Sequence, residues 1–195
     1  MYEAKNFSNL LGLEGFSDTL LNNHFTLYQG YVTNVNLLMK KIGEIRKERE
    51  AGDENRKEDT AELHRRFSWE YNGMKLHELY FENLSKEKTE LNEEGILAKK
   101  LIEKYGSLEA FKNNFSKYVG MFRGIGWVAL IKNEDDTLGI IWINEHNTGL
   151  LVNSKVLLIM DVFEHSYMTD YGIKRADYIN NFMKAIDWKV VESRI

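Results

Sequence analysis

The chain has 195 residues, with 26 Lys and Arg against 30 Asp and Glu, a net charge of −4, 43% hydrophobic residues and 29% charged ones. That is enough for one large domain or two small ones with real cores, too apolar for a disordered chain, and too acidic to favour a nucleic-acid partner. Cysteine is absent, which excludes disulfides and thiolate metal sites, so any metal must rest on histidine and carboxylate.

The first ten residues, MYEAKNFSNL, lack the basic and apolar regions of a signal peptide, and no apolar run approaches membrane length. Both point to a cytoplasmic protein with no membrane partner. Ser17-Asp18-Thr19 reads as a helix start. After it, Leu20, Leu21, His24, Leu27, Tyr28, Tyr31, Val35 and Leu38 recur at the spacing of one helix face. Residues 40–66 alternate acids and bases and read as the solvated outer part of a helical hairpin, turning at Gly52-Asp53, with His64 an exposed helix residue.

A second helix over residues 61–83 places Phe67, Tyr71, Met74, His77, Leu79 and Phe81 on its apolar side, with Leu84 following them. One histidine on an apolar face is more often a satisfied core residue than a ligand. His24 and His77 on neighbouring antiparallel helices, with no acidic partner between them in sequence, make that explanation less comfortable. The polar segment 85–94 reads as a linker. It divides an N-terminal helical hairpin domain, 1–88, from a C-terminal α/β domain, 89–195.

In the second half, helices are expected over 96–105, stopped by Gly106, and over 108–118, with Gly120, Gly124 and Gly126 breaking the pattern. Strands follow at 126–132 and 138–143, joined by a loop of about four residues because Asn133-Glu134-Asp135-Asp136 lacks the glycine of the tightest turns. A third strand, 156–160, ends on Asp161, with His165 four residues later. A carboxylate at the end of an apolar run needs compensation for its desolvation. Asp161 is either a helix N-cap with an incidental histidine nearby or, with His165, a pair of metal ligands. The fold expected is α+β: a helical hairpin, then helices packed on a small three-stranded antiparallel sheet.

Several local patterns occur in one order along nearly the whole chain. Asp161-Val162-Phe163-Glu164-His165 matches D-x-W-E-H, and Tyr171, Arg175, Tyr178 and Trp188 fall as in Y…R-P-x-Y…W. YGSLEAFKNNF and GWVALIKN are close to G-S-F-x-x-F-K-x-x-F and G-W-x-W-L, and Tyr31 to Asn36 follows the end of H-H-x-x-Y-V-x-N-L-N. In this the chain resembles the iron/manganese superoxide dismutase family.

The resemblance implies an enzyme that converts superoxide to oxygen and hydrogen peroxide by alternate one-electron reduction and oxidation of one iron or manganese ion per subunit. Its ligands fall on His24, His77, Asp161 and His165, at the seam between the two halves. It makes Tyr31 the gateway tyrosine and Trp127 part of the surrounding wall. Glu164 would reach across a homodimer to His165 of the other subunit, and Arg175 and Lys174 become candidates for a basic entrance.

Departures from the family pattern cluster around this site. Gly73 stands where many iron forms carry Gln, and His146 stands where manganese forms carry Gln. His146 is therefore expected to hydrogen-bond the metal-bound solvent, a surface position in the loop being the alternative. His24 and Tyr31 are seven residues apart, one fewer than in the family, which predicts a more regular first helix. The family's histidine before the gateway falls on Leu27 or Tyr28 and its interface tyrosine on Met168. Its D-x-W tryptophan becomes Phe163 and its second G-W-x-W tryptophan Ala129. A scaffold that keeps the metal but has lost catalysis is the alternative function.

Overall fold

Ser17 opens the first long helix, α1 (Asp18–Glu50), and its side chain accepts the Leu20 N–H at 3.1 Å. A serine cap of this kind satisfies one of the donors that a helix start leaves free. Ser17 also donates its hydroxyl to Asp170 Oδ1 at 2.5 Å, which ties the start of α1 to the chain just beyond His165. The computed structural model describes residues 1–52 and 57–195. Asp53, expected in the hairpin turn, lies outside them; Gly52 is described, with φ +97°.

α1 runs as an uninterrupted α-helix and packs antiparallel to α2 (Lys57–Glu82). The buried side of α1 is Leu20, Leu21, His24, Tyr28, Tyr31, Val32, Val35, Leu38 and Ile45. Leu27 was expected among them and is 37% exposed instead, at the edge of the stripe. Among the described residues of α2 the buried set is Glu70, Gly73, Met74, Leu76, His77, Glu78, Tyr80 and Phe81. Phe67, Tyr71 and Leu79 are only partly buried, so the true stripe passes through Tyr80 rather than Leu79. His64 is exposed, as its charged surroundings imply.

α3 (Ile96–Tyr105) and α4 (Leu108–Met121) lead into the sheet. α4 runs through Gly120 rather than stopping before it. The break comes at Gly124 and Gly126, both at positive φ. At Gly126 (φ +122°) any side chain would overlap the Ile143 carbonyl oxygen, so the entry to the sheet admits only glycine.

The sheet has order β2-β1-β3 and is antiparallel throughout: β1 (Trp127–Lys132), β2 (Leu138–Ile143), β3 (Lys155–Asp161). Its central strand is buried along almost its whole length. β3 includes Asp161, which pairs with Trp127 across the ladder. After β3 come a 3-10 turn (Glu164–Ser166), then α5 (Met168–Tyr171), α6 (Arg175–Ala185) and α7 (Trp188–Ser193).

The end of α2 docks on β3 and on the C-terminal helices. Asn83 donates its side-chain amide to Ile159 O at 2.6 Å, and the Asn83 carbonyl accepts the Asp187 N–H at 2.6 Å. The segment expected to be a polar linker is pinned at the same place. Ser85 N–H donates to Ala185 O (2.9 Å), Thr89 Oγ1 accepts the Trp188 N–H (2.6 Å), and Leu91 is buried. Charge in the sequence was a poor guide here, because Thr89 and Leu91 face the core between charged neighbours. Among the described residues no helix is long and apolar enough to cross a membrane.

Candidate metal centre

Each of four side chains reaches one point for a local reason. His24 lies on the buried stripe of α1 and His77 on that of α2. His77 Nδ1 sits 2.6 Å from the Gly73 carbonyl one turn earlier, and a carbonyl can only accept. Nδ1 therefore carries the hydrogen and the Nε2 lone pair faces inward. Asp161 ends β3 and uses its two oxygens differently. Oδ1 accepts the Phe163 N–H at 2.8 Å, while Oδ2 faces the histidines. Asp161 is not the cap of a helix, since the 3-10 turn that follows is capped at Phe163 without a side-chain bond; its Oδ1 closes a tight turn and its Oδ2 is free to serve as a ligand. Its main-chain carbonyl accepts the Tyr178 hydroxyl at 2.7 Å. His165 arrives on the turn after β3, its ring stacked on Phe163 with centroids 5.2 Å apart.

Around Asp161 Oδ2, Nε2 of His24 and of His165 each lie at 3.2 Å and Nε2 of His77 at 3.7 Å. All four donor atoms fall within 4.8 Å of one another. Ligands bonded at about 2.1 Å and set at right angles stand about 3 Å apart, so this spacing suits atoms that share one ion. Nε2 of His24 and of His77 are buried without any hydrogen-bond partner. Such orphans are costly in a finished core, and a metal bond would complete them. The donor set, three imidazoles and one carboxylate, fits iron or manganese.

The electrostatics agree. Burial lowers the His24 and His77 pKa values, His77 well below the ordinary range, so both rings are neutral and able to ligate. Burial alone would raise the Asp161 carboxyl, but His165 beside it outweighs that and holds it below the usual carboxylate range.

His146 is fully buried at the apex of the loop between β2 and β3, which rules out a surface position. Trp127 Nε1–H donates to its Nδ1 at 3.0 Å, and an indole can only donate. The neutral ring therefore carries its hydrogen on Nε2, which donates to Tyr31 Oη at 2.8 Å. The Tyr31 hydroxyl hydrogen is left free for another acceptor. Tyr31 in turn packs on His77, with ring centroids 5.0 Å apart.

Burial lowers His146 from 6.5 to about 4. Between those values the unfolded chain binds a proton that the folded chain refuses, so stability falls as pH falls through this window and is fully recovered above about 6.5. The metal-free His146→Gln variant should accordingly lose about 2 kcal/mol less than the parent between pH 7 and pH 4.5, measured by urea unfolding. His24 and His77 act with the same sign and are common to both proteins. Equal losses would mean that His146 is not held neutral.

Other expected residues take different places. Glu164 is exposed, beside a His165 that is 29% exposed. Leu27 and Met168 are exposed at 37% and 46%. Arg175 donates NH1 to Phe122 O and NH2 to Val119 O, over the end of α4, and Lys174 is the exposed residue before α6. Trp69 was missed. Its ring lies 4.5 Å from His146 and 5.6 Å from Tyr31 between centroids, and on α2 it is in register with buried Leu76 and Tyr80, whereas the stripe expected through Phe67, Tyr71 and Leu79 passes it by.

The fold and the site are those of a protein that could hold one metal ion on three histidines and an aspartate. Residues 93–194 match the family described as iron/manganese superoxide dismutases over its C-terminal domain. The chain is 34% identical to a superoxide dismutase (Fe) of Aquifex pyrophilus, covering 98% of this chain and 90% of that protein. It is 33% identical to superoxide dismutase (Mn) 2 of Haloferax volcanii, covering 85% and 79%, and 31% identical to a superoxide dismutase (Fe) of Saccharolobus solfataricus, covering 91% and 82%. The chain belongs to the iron/manganese superoxide dismutase family.

Proposed function

We propose that the chain is a superoxide dismutase that uses one iron or manganese ion per subunit, held by His24, His77, Asp161 and His165. One observation carries the assignment of the site: four donor atoms within 4.8 Å, two of them buried nitrogens with no other partner. Iron and manganese both occur in the names of its relatives. In the overall reaction two superoxide anions and two protons give one oxygen and one hydrogen peroxide. The bound ion supplies the one-electron store that lets the two superoxide anions react in turn.

The chain itself must deliver protons and exclude bulk water. Trp127 fixes the His146 tautomer, His146 Nε2–H holds Tyr31 Oη, and the free Tyr31 O–H is the donor that can meet an incoming anion. With both its ring nitrogens engaged by Trp127 and Tyr31, His146 would act on solvent at a bound metal only by sharing Nε2–H with the Tyr31 hydroxyl. Phe163 and Trp127 close the wall behind the ligands.

The protein is further proposed to be a cytoplasmic homodimer in which Glu164 meets the other subunit's His165. The exposure of Glu164 and the partly open His165 support this. Glu164→Ala is expected to shift the protein from dimer to monomer in analytical ultracentrifugation, and an unchanged dimer would remove the bridge. Residues 1–88 and 89–195 are taken as its two domains. Lys174 and Arg175 are proposed as its basic entrance residues, Lys174 being the freer because the Arg175 guanidinium is bonded to the Val119 and Phe122 carbonyls.

The decisive experiment is reconstitution with iron and with manganese separately, followed by metal analysis and a dismutase assay. Activity with either metal supports the proposal and shows which potential this site sets. Stoichiometric metal without activity would leave a metal-binding scaffold.

A further inference from the structure

The loop that presents His146 is short and locally strained. Asn144 and Thr148 exchange backbone hydrogen bonds, Asn144 N to Thr148 O at 2.8 Å and Thr148 N to Asn144 O at 3.3 Å. Between them Glu145 adopts φ +54°, the left-handed region that a long side chain enters only at a cost. Such a conformation persists where something outside the loop fixes it. Here the Glu145 carboxylate leaves the loop and accepts the Trp69 Nε1–H at 3.1 Å, a bond to a residue 76 positions away on α2.

Trp69 is itself held by several neighbours. Its ring lies against those of His146 and Tyr31. The Arg66 guanidinium stands 4.7 Å from its ring centroid, and Arg66 is anchored at 2.9 and 2.8 Å to Oε1 of Glu70, which is buried. The indole is a fixed post and the loop is the part that needs holding.

We infer that Glu145 is a positioning residue: by gripping Trp69 Nε1–H it holds the left-handed turn that aims His146 between Trp127 and Tyr31. Glu145 touches none of the reacting atoms. Its effect reaches them through the ring next to it in the chain. The importance of that ring for dismutation rests on the function proposed above, but the clamp can be tested without a metal.

The chain has four tryptophans, hence four indole N–H signals in a nuclear magnetic resonance spectrum. Trp127 reports on His146 directly through the Nε1–H to Nδ1 bond, and Trp142, bonded to Ile125 O, serves as the reference. In the metal-free protein, Glu145→Ala should speed hydrogen exchange at the Trp127 indole about tenfold, and Glu145→Gln, which keeps an acceptor, should leave it within about twofold. Glu145→Gly also loses the grip but removes the cost of the left-handed backbone, so its acceleration should fall between those of the parent and Glu145→Ala. Trp69→Phe keeps the ring and removes the donor. It should reproduce the Glu145→Ala effect, and the double variant should add nothing to it.

An unchanged Trp127 signal in Glu145→Ala overturns the inference, and so does equal acceleration at Trp127 and Trp142. In the metal-loaded protein, Glu145→Ala should lower kcat severalfold with rescue by Glu145→Gln. If the loaded parent protein proves inactive, the dismutase reading fails, while the Trp127 result still decides the clamp.

Discussion

Asp161→Asn is expected to empty the centre of metal and to lower dismutation by on the order of a thousandfold or more. The substitution keeps the shape of the side chain but not its role. Oδ1 can still accept the Phe163 N–H, so the turn that carries His165 survives. The position of Oδ2 becomes an amide nitrogen, which has no lone pair to give a metal. It also removes the sole negative charge among the four ligands, which helps to balance the oxidised ion in a buried site. The expected result is a folded protein with little iron or manganese by elemental analysis and no measurable dismutase activity. A variant that retained both would show that the metal sits elsewhere.

The parts of this site that could be read from the sequence were those in which a polar residue interrupts an apolar pattern. His24 and His77 fall on helical stripes that are otherwise apolar, and Asp161 ends a strand of branched residues. The start of α1 was legible for a similarly local reason, since Ser17 is a cap whose partner lies three residues on. What was not legible depends on contacts between distant segments. Trp69 meets Glu145 through a bond that no periodicity encodes. Arg175, basic and close in sequence to the last ligand, spends its guanidinium on the carbonyls that end α4. Gly120 looked like a helix breaker, yet nothing lies within 4 Å of where its side chain would be and α4 passes through it. The break belongs to Gly126, where the Ile143 backbone forbids a side chain.

Gly73 is the position from which the gateway can be moved with least chemistry. A Cβ built there would lie 2.7 Å from both Cδ1 and Cε1 of Tyr31, closer than carbon atoms pack, and the neighbour is a ring with little room to yield. Gly73→Ala should therefore displace Tyr31, break its 2.8 Å contact with His146 and lower dismutation about tenfold or more. Overpacking of this kind destabilises by about 1–3 kcal/mol, against a gain of up to about 1 kcal/mol from alanine in a helix, so the net change should be destabilising.

A second background distinguishes this cause from any other defect. In Tyr31→Ala the ring is gone, the clash disappears, and only the helix preference of alanine remains. Adding Gly73→Ala to that background should stabilise by up to about 1 kcal/mol, so the sign of the same substitution reverses. Urea unfolding of the four proteins measures the cycle directly. Destabilisation of equal size in both backgrounds would mean that Tyr31 does not occupy the space beside Gly73. Reversal would show that the glycine is there to seat the tyrosine, and that a longer side chain at residue 73 and Tyr31 in its present place exclude one another.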